Sequence, residues 1–223
     1  MHRLDLHRHG DALFGGFQVD VGLEFVRRDV WYEVDEGGVG ESGRPALDQY
    51  QAAIEVEQAD ARTDPQWASR RTLRLQRTVA ARPTTVWRYW TDADLIRRWW
   101  SPEHFTAVEC EAKAAPGGLL RIVMAEGDST RHTAVGRYLA LEKPRALSFE
   151  LAPLGPDGKP LLSAVHRVRL APQPRGTTIS LTIKLGDATP AAAPAIAGLR
   201  PGWKQLLDKL ARELAGGRPP PAS

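Results

Sequence analysis

The sequence predicts an α+β fold in which a curved antiparallel sheet wraps around a C-terminal helix. Six consecutive segments between residues 106 and 185 alternate apolar and polar residues, as half-buried strands do. After them, residues 201–214 place apolar residues at steps of three and four, which gives a helix one apolar stripe. A single helix of about fourteen residues is marginal in water, so we expect the sheet to cover this stripe. Its members are Trp203, Leu206, Leu207, Leu210 and Leu214.

The first part of the chain differs in charge from the rest. Residues 1–70 carry 7 Arg and 14 Asp or Glu, a net charge of −7, whereas residues 71–223 carry a net charge of +10. We therefore divide the 223 residues into an acidic N-terminal extension (1–70), one domain (71–216) and a disordered tail (217–223). Alternation between residues 17 and 34 is compatible with a β-hairpin, and residues 46–59 have helical character. Opposite charge should hold the extension against the domain.

Composition also excludes several classes of protein. No apolar run is long enough to span a membrane, and the N-terminus lacks the apolar core of a secretory signal. Cys110 is the only cysteine, which fits a reducing compartment, so we expect a cytoplasmic protein. The richness in Arg, Ala and Pro suggests a bacterial source. Basic residues are spread along the strands without a recognised motif, so no nucleic-acid partner is expected.

The domain opens with one strand and two short helices. Residues 72–79 put Leu73, Leu75 and Val79 on one face of a strand. Pro83 suits the first turn of a short helix. Residues 91–94 form a capping box for a second short helix, which ends before Pro102. Asp92 and Asp94 are explained by this capping role.

Turns divide the remainder into six strands and a helix. Pro and Gly clusters separate the strands at residues 116–118, 142–145, 155–160 and 171–176. The last strand alternates strictly through Ile179, Leu181, Ile183 and Leu185. Six consecutive antiparallel strands favour a curved sheet with one apolar face.

The predicted elements are, in chain order, one strand, two short helices, six strands and a terminal helix. This is the order of a helix-grip fold. Specific stretches resemble the START-like SRPBCC superfamily and, within it, the proteins similar to the activator of the heat-shock protein 90 ATPase. These stretches are RTVAARPTTVWRYWTDADLIRRWWSP, PGGLLRIVM, GRYLALEKPRALSFE, RGTTISLTI, and GW followed by LLDKLARELA. The resemblance covers about residues 71–215 and implies the helix-grip fold.

Two features depart from the family pattern. Pro194 and Pro201 interrupt what is usually one long terminal helix, so we expect residues 188–199 to be loose or kinked and a firm helix only afterwards. The acidic residues 1–70 have no counterpart in the minimal domain.

The resemblance implies a cavity between the concave face of the sheet and the terminal helix, and such cavities take apolar ligands. Trp99, Trp100 and Phe105 are expected near its mouth, either as a gate or as core packing. Strand parity points His166 inward, as a ligand contact or as a hydrogen-bonded core residue. The remaining expected wall residues are Leu75, Val108, Ile122, Leu147, Phe149, Val168, Ile179, Leu181 and Trp203.

The sequence offers few signs of catalysis. It contains no Gly-rich phosphate loop, no nucleophile elbow and no His or Cys set with metal-ligand spacing. Cys110 has no basic neighbour in the sequence to lower its pKa, so a nucleophile is not expected. We therefore expect no catalytic residue, no metal and no cofactor.

Three functions remain open. The leading one is non-catalytic binding of a small apolar molecule, lipid-like or aromatic. The second is a protein-interaction or co-chaperone-like module, whose partner is another protein. The third is an enzyme of the cyclase or dehydratase type that folds a reactive substrate in the cavity.

Overall fold

A seven-stranded antiparallel sheet forms the centre of the computed structural model. The structure describes residues 26–27, 30–31, 44–64 and 66–216, with side chains from residue 49 onward. The seven strands run in the spatial order β3-β9-β8-β7-β6-β5-β4. Their bounds are Thr72–Val79 (β3), Phe105–Ala112 (β4), Leu119–Glu126 (β5), Thr130–Glu142 (β6), Ala146–Pro153 (β7), Leu162–Gln173 (β8) and Gly176–Ala188 (β9). Strands β4 to β9 each pair with their sequence neighbour, and β3 closes against β9.

The helices connect or follow the strands of this sheet. Two short ones, α2 (Pro83–Arg88) and α3 (Ala93–Trp99), connect β3 to β4. Asp92 is the N-cap of α3 and accepts hydrogen bonds from the backbone N–H groups of Asp94 and Leu95, which confirms its predicted capping role. The predicted capping box is wrong, because the hydroxyl of Thr91 donates to the carbonyl of Trp87 instead of capping α3. The terminal helix α5 spans Leu199–Gly216 and contacts both β3 and α3.

The core lies between the sheet and α5. Alternate residues of β9 are buried along its length, and all five residues of the predicted helical stripe are buried. This strand order with a helix covering one face of the sheet confirms the helix-grip α+β fold.

The segment before α5 is better ordered than the sequence predicts. Residues 190–192 form a 3-10 helix, and Ala193–Ala197 form a short helix, α4. Pro194 lies in the first turn of α4 and Pro201 near the start of α5. A proline lacks only an N–H that the first turn does not use, so the two prolines delimit consecutive helices instead of loosening the chain.

A helix from the N-terminal part packs onto this segment. Helix α1 spans Arg44–Thr63 and contacts α4. Tyr50 is buried there and donates a hydrogen bond to the carbonyl oxygen of Pro194 over 3.1 Å. Glu57 is buried as well and pairs with Arg71 at the start of the domain. Two short strands, β1 (Val26–Arg27) and β2 (Val30–Trp31), pair antiparallel, whereas the predicted tail at 217–223 lies outside the described residues.

Candidate functional site

Most of the predicted wall residues meet in one buried cluster beneath α5. Leu75 is partly buried against this core, whereas the others expose at most 5% of their surface. They are Trp99, Trp100, Ile122, Leu147, Phe149, Val168, Ile179, Leu181 and Trp203. The alternation of the strands and the spacing of the helix bring them to the same interface.

Six rings form the centre of this interface, here called the aromatic cluster. Its members are Trp90, Trp99, Trp100, Phe149, His166 and Trp203. The rings of Trp90 and Trp203 are nearly parallel at 6.2 Å between centroids, and Trp100 meets Trp203 edge-on at 5.1 Å. Such pairs add stabilisation beyond the buried area. No member exposes more than 5% of its surface, so the cluster is closed to solvent in this structure.

His166 is the polar member of the cluster. Its imidazole stacks on Phe149 with the planes 5° apart and the centroids 4.7 Å apart, and Trp203 lies at 5.2 Å. Burial lowers the pKa of His166 to about 3, although the nearby carbonyls of Ala164 and Phe149 act in the opposite direction. The ring is therefore neutral at physiological pH. Its Nδ1 atom has no hydrogen-bond partner among the described residues.

A second nitrogen of the cluster is also unpaired. The indole Nε1 of Trp90 is buried and lacks an acceptor within the part of the chain that the structure describes. By contrast, Trp99 Nε1 donates to the carbonyl of Tyr89 over 2.8 Å. The carbonyl of Trp90 itself accepts from the hydroxyl of Tyr138, also over 2.8 Å. Buried polar groups are nearly always paired, so two unpaired nitrogens in one cluster distinguish it from ordinary core packing.

Two predicted residues lie elsewhere. Phe105 is buried at the start of β4, where its ring meets that of His132 at 5.3 Å. Val108 exposes 36% of its surface, so its expected place in the wall is wrong. The pairing of β4 with β5 shifts between Ala107 and Glu109. A bulge at this point breaks the alternation of side chains, which strand parity in the sequence had assumed to be continuous.

A polar junction connects α3 and α5 beside the aromatic cluster. Lys209 Nζ donates to Ser101 Oγ over 2.7 Å, and Ser101 is buried directly after Trp100. Burial lowers the pKa of Lys209, and the Glu213 carboxylate opposes this shift. Arg98 of α3 pairs with Glu213 of α5 over 2.8 Å. The junction therefore ties the terminal helix to the residue that follows Trp100.

Sequence reasoning missed some of these residues. It did not place Trp90 in the site, and it did not connect Ser101 with Lys209. The aromatic spacing in residues 83–100 was a usable signal for Trp90. The Ser101–Lys209 contact joins positions 108 residues apart, and a local pattern contains no trace of such a contact.

Cys110 is protonated and Arg77 is ion-paired in this arrangement. Burial raises the pKa of Cys110 to about 11, against a smaller opposite effect of Arg97, so its thiol stays protonated at neutral pH. Arg77 pairs with Asp208 of α5 over 2.9 Å, and both side chains are partly exposed. Within residues 44–64 and 66–216, no three His, Cys, Asp or Glu side chains lie close enough to hold a metal. None of the described helices is long and apolar enough to cross a membrane.

Comparisons with known proteins agree with this architecture. The family model described as Activator of Hsp90 ATPase homolog 1-like protein matches residues 80–215. A solved structure from Chromobacterium violaceum is 26% identical with a TM-score of 0.56, covering 64% of this chain and 96% of that one. The AHSA1 protein from Silicibacter pomeroyi is 25% identical with a TM-score of 0.55, covering 65% and 98%. An AHSA1-like protein from Aeromonas hydrophila is 26% identical with a TM-score of 0.51, covering 69% and 99%. No curated protein matches the chain.

Proposed function

The chain belongs to the family of Activator of Hsp90 ATPase homolog 1-like proteins, and from this premise we propose that it binds a small, largely apolar molecule between the sheet and α5, without catalysis. The family is consistent with ligand binding and with co-chaperone-like roles. The aromatic cluster favours the first of these for this chain.

The observation that carries the proposal is the pair of unpaired nitrogens in an otherwise apolar interior. Leaving one buried donor or acceptor unsatisfied costs about 1–3 kcal/mol. A core selected for stability alone would favour apolar side chains at both positions. Among the described residues, His166 Nδ1 and Trp90 Nε1 instead have no hydrogen-bond partner of good geometry, although the carbonyls of Ala164 and Phe149 lie close to the imidazole. A bound molecule can supply that partner.

The two nitrogens also define the chemistry of the ligand. Trp90 Nε1 is only a donor, and a neutral imidazole offers one donor and one acceptor. Apart from the ring nitrogens, the cluster presents mainly aromatic carbons, which favour flat or lipid-like molecules. We expect an aromatic or acyl compound with one oxygen placed to accept from Trp90 Nε1. Charged nucleotides and sugars would leave many polar groups unpaired in this interior.

Entry requires movement of rings, because the cluster is closed. Trp100 and Trp203 expose 4% and 5% of their surface, whereas Trp99 is fully buried. Trp100 lies next to the polar junction, since Ser101 follows it and bonds to Lys209, and Trp203 contacts Trp100 at 5.1 Å. Loosening this junction would let α5 move away from α3. We therefore assign the entrance to the α3–α5 junction.

Two measurements test the proposal. Native mass spectrometry of protein purified from its own cells should show a retained small molecule. A panel of fatty acids and aromatic compounds should change Trp emission with saturable affinity, because four of the seven Trp residues belong to the aromatic cluster.

Variants of His166 give the specificity control. His166→Phe should change the order of preference within the panel and leave the fold intact, whereas His104→Gln, at an exposed histidine, should leave the order unchanged. Absence of any saturable change across the panel, together with no retained molecule, would contradict the proposal.

A protein-interaction or co-chaperone-like module is the second candidate. The tight closure of the aromatic cluster favours it, since a packed interior also serves as a rigid support for an outer surface. A protein retained in native mass spectrometry, with no small molecule, would favour this candidate over ligand binding.

A further inference from the structure

The outer face of β3, β9 and β8 carries a group of unpaired cations, here called the basic face. Its cations are Arg74, Arg167, Arg169 and Lys184, all of them exposed. None of the four forms an ion pair with a described residue, whereas other arginines of the sheet are paired. Arg121 pairs with Glu109 over 2.7 Å, and Arg137 pairs with Glu150 over 2.9 Å.

Strand register brings these cations together. Arg74 and Arg167 both stand opposite Thr182 of β9, one from each side. Two strand spacings put their backbones about 10 Å apart. Arg167 and Arg169 alternate along β8 and therefore share the face, about 7 Å apart. Lys184 stands opposite Val165, beside Arg167.

Along the stretch that carries the cations, the face contains no acidic side chain. Strands β3 and β8 include no Asp or Glu, and the one acidic residue of β9, Asp187, lies near the end of that strand, beyond Lys184. Between the cations stand short hydroxyl and amide groups, such as Ser180, whose hydroxyl accepts a hydrogen bond from Gln76 over 3.2 Å. On β7, the nearest outward carboxylate is that of Glu150, which already forms an ion pair with Arg137. The field of the basic face is therefore uncompensated by its own strands.

We propose that the basic face binds an extended acidic segment of a partner protein, with carboxylates at alternating positions. In an extended chain, side chains two residues apart point the same way at about 7 Å, which matches the spacing of Arg167 and Arg169. Guanidinium groups bind carboxylates through two parallel hydrogen bonds. The neighbouring Arg74 and Lys184 extend the contact across β9 and β3.

Other anions fit the basic face less well. Single-stranded nucleic acid is bound with aromatic side chains on which bases stack, and these three strands present no aromatic residue outward. Attachment to an anionic membrane is stabilised by apolar side chains that insert into it, and Val165, half-buried beside Lys184, is the one large apolar residue at the outward positions of these strands. Binding of a carboxylate on a polypeptide needs neither aromatic stacking nor apolar insertion.

The basic face lies on the side of the sheet opposite to the aromatic cluster. Arg167 and Arg169 alternate with the inward-facing His166 and Val168 along β8. Variants of the basic face therefore leave the interior unchanged. A loss of peptide binding at this face can be told apart from a loss of ligand binding in the aromatic cluster.

The test measures the affinity of the full chain for a labelled peptide of alternating Glu and Ser at low salt. The double variant Arg167→Gln with Arg169→Gln should weaken binding at least about 10-fold. A matched double variant, Arg97→Gln with Arg121→Gln, removes the same charge from arginines that are already paired away from the basic face and should stay within about 2-fold. If the first variant unfolds, Arg74→Gln with Lys184→Gln replaces it. A peptide of the same composition with all Glu in one block should bind more weakly.

Several results would overturn the proposal. These are no binding to the wild-type chain, equal losses in both double variants, or equal affinity for the alternating and block peptides. Tighter binding of an oligonucleotide or of anionic vesicles, lost in the same variant, would assign the basic face to phosphate instead. Carbodiimide couples Lys184 directly to a bound carboxylate. A cross-link to residues 1–43 of the chain in place of the peptide would exclude a separate partner.

Discussion

Replacing His166 by Phe should remove a specific pH dependence from the stability of this protein. The imidazole is buried against Phe149 and Trp203, and burial lowers its pKa from 6.5 to about 3. In the unfolded chain the imidazole has its ordinary pKa of 6.5. Below pH 6.5 the unfolded state therefore binds a proton that the folded state does not bind. Stability is full above pH 6.5 and falls as the pH decreases towards 3.

The size of the effect follows from this pKa difference. Each pH unit below 6.5 lowers the free energy of unfolding by about 1.4 kcal/mol. At pH 5 the loss relative to pH 7.5 is about 2 kcal/mol. Because the folded pKa lies well below 5, this figure depends almost entirely on the unfolded value. His166→Phe has no group that titrates here, so it should lose about 2 kcal/mol less than the wild type over the same interval.

Urea unfolding at pH 7.5 and pH 5 measures the effect. The informative quantity is the difference between the two pH values, compared between variant and wild type, because contributions common to both proteins then cancel. At a single pH, removal of the unpaired Nδ1 and the larger volume of Phe have opposite effects of similar size. His104→Gln serves as the control for loss of an exposed histidine and should retain the dependence of the wild type.

A particular result would refute the reasoning. If wild type and His166→Phe lose the same stability between pH 7.5 and pH 5, the imidazole is not held neutral in the folded state. His166 would then have a proton-accepting partner or access to water, and the argument for a ligand partner at this position would fail with it.

Three further predictions concern the helices. Trp203→Ala and Leu210→Ala should each destabilise the protein by roughly 2–5 kcal/mol in urea unfolding, because each leaves a cavity under α5. Leu139→Ala, at an exposed position, is the control. Losses below about 0.5 kcal/mol for both core variants would contradict the packing of α5. Arg71→Ala leaves the buried Glu57 carboxylate unpaired, so limited proteolysis should cleave α1 faster than in the wild type. Unchanged cleavage would show that this ion pair does not keep α1 packed on the domain. Lys209→Met removes the hydrogen bond to Ser101 and should speed ligand-induced changes in Trp emission in stopped-flow experiments, whereas an unchanged rate would place the entrance elsewhere.

Local patterns were enough to predict the strands of the sheet and the terminal helix, but not α4. Side-chain periodicity along one segment reflects which face of that segment is buried. The strict alternation of residues 179–185 and the stripe of residues 203–214 therefore identified their buried faces before any pairing was known. Capping is also local, since Asp92 bonds to N–H groups two and three residues away. The family resemblance supplied the order in which these elements assemble.

Only the tertiary structure determines which polar and charged groups of the candidate site and of the basic face lie together. Parity placed His166 inside, but only the assembled sheet and helices show that its Nδ1 and the Nε1 of Trp90 share one cluster and have no partner in the described part of the chain. The bulge beside Val108 depends on the register with β5, and the basic face depends on β3 pairing with β9 across a long stretch of chain. Such features arise from contacts between residues far apart in sequence. A periodic pattern within one segment carries no information about which distant segment will lie beside it.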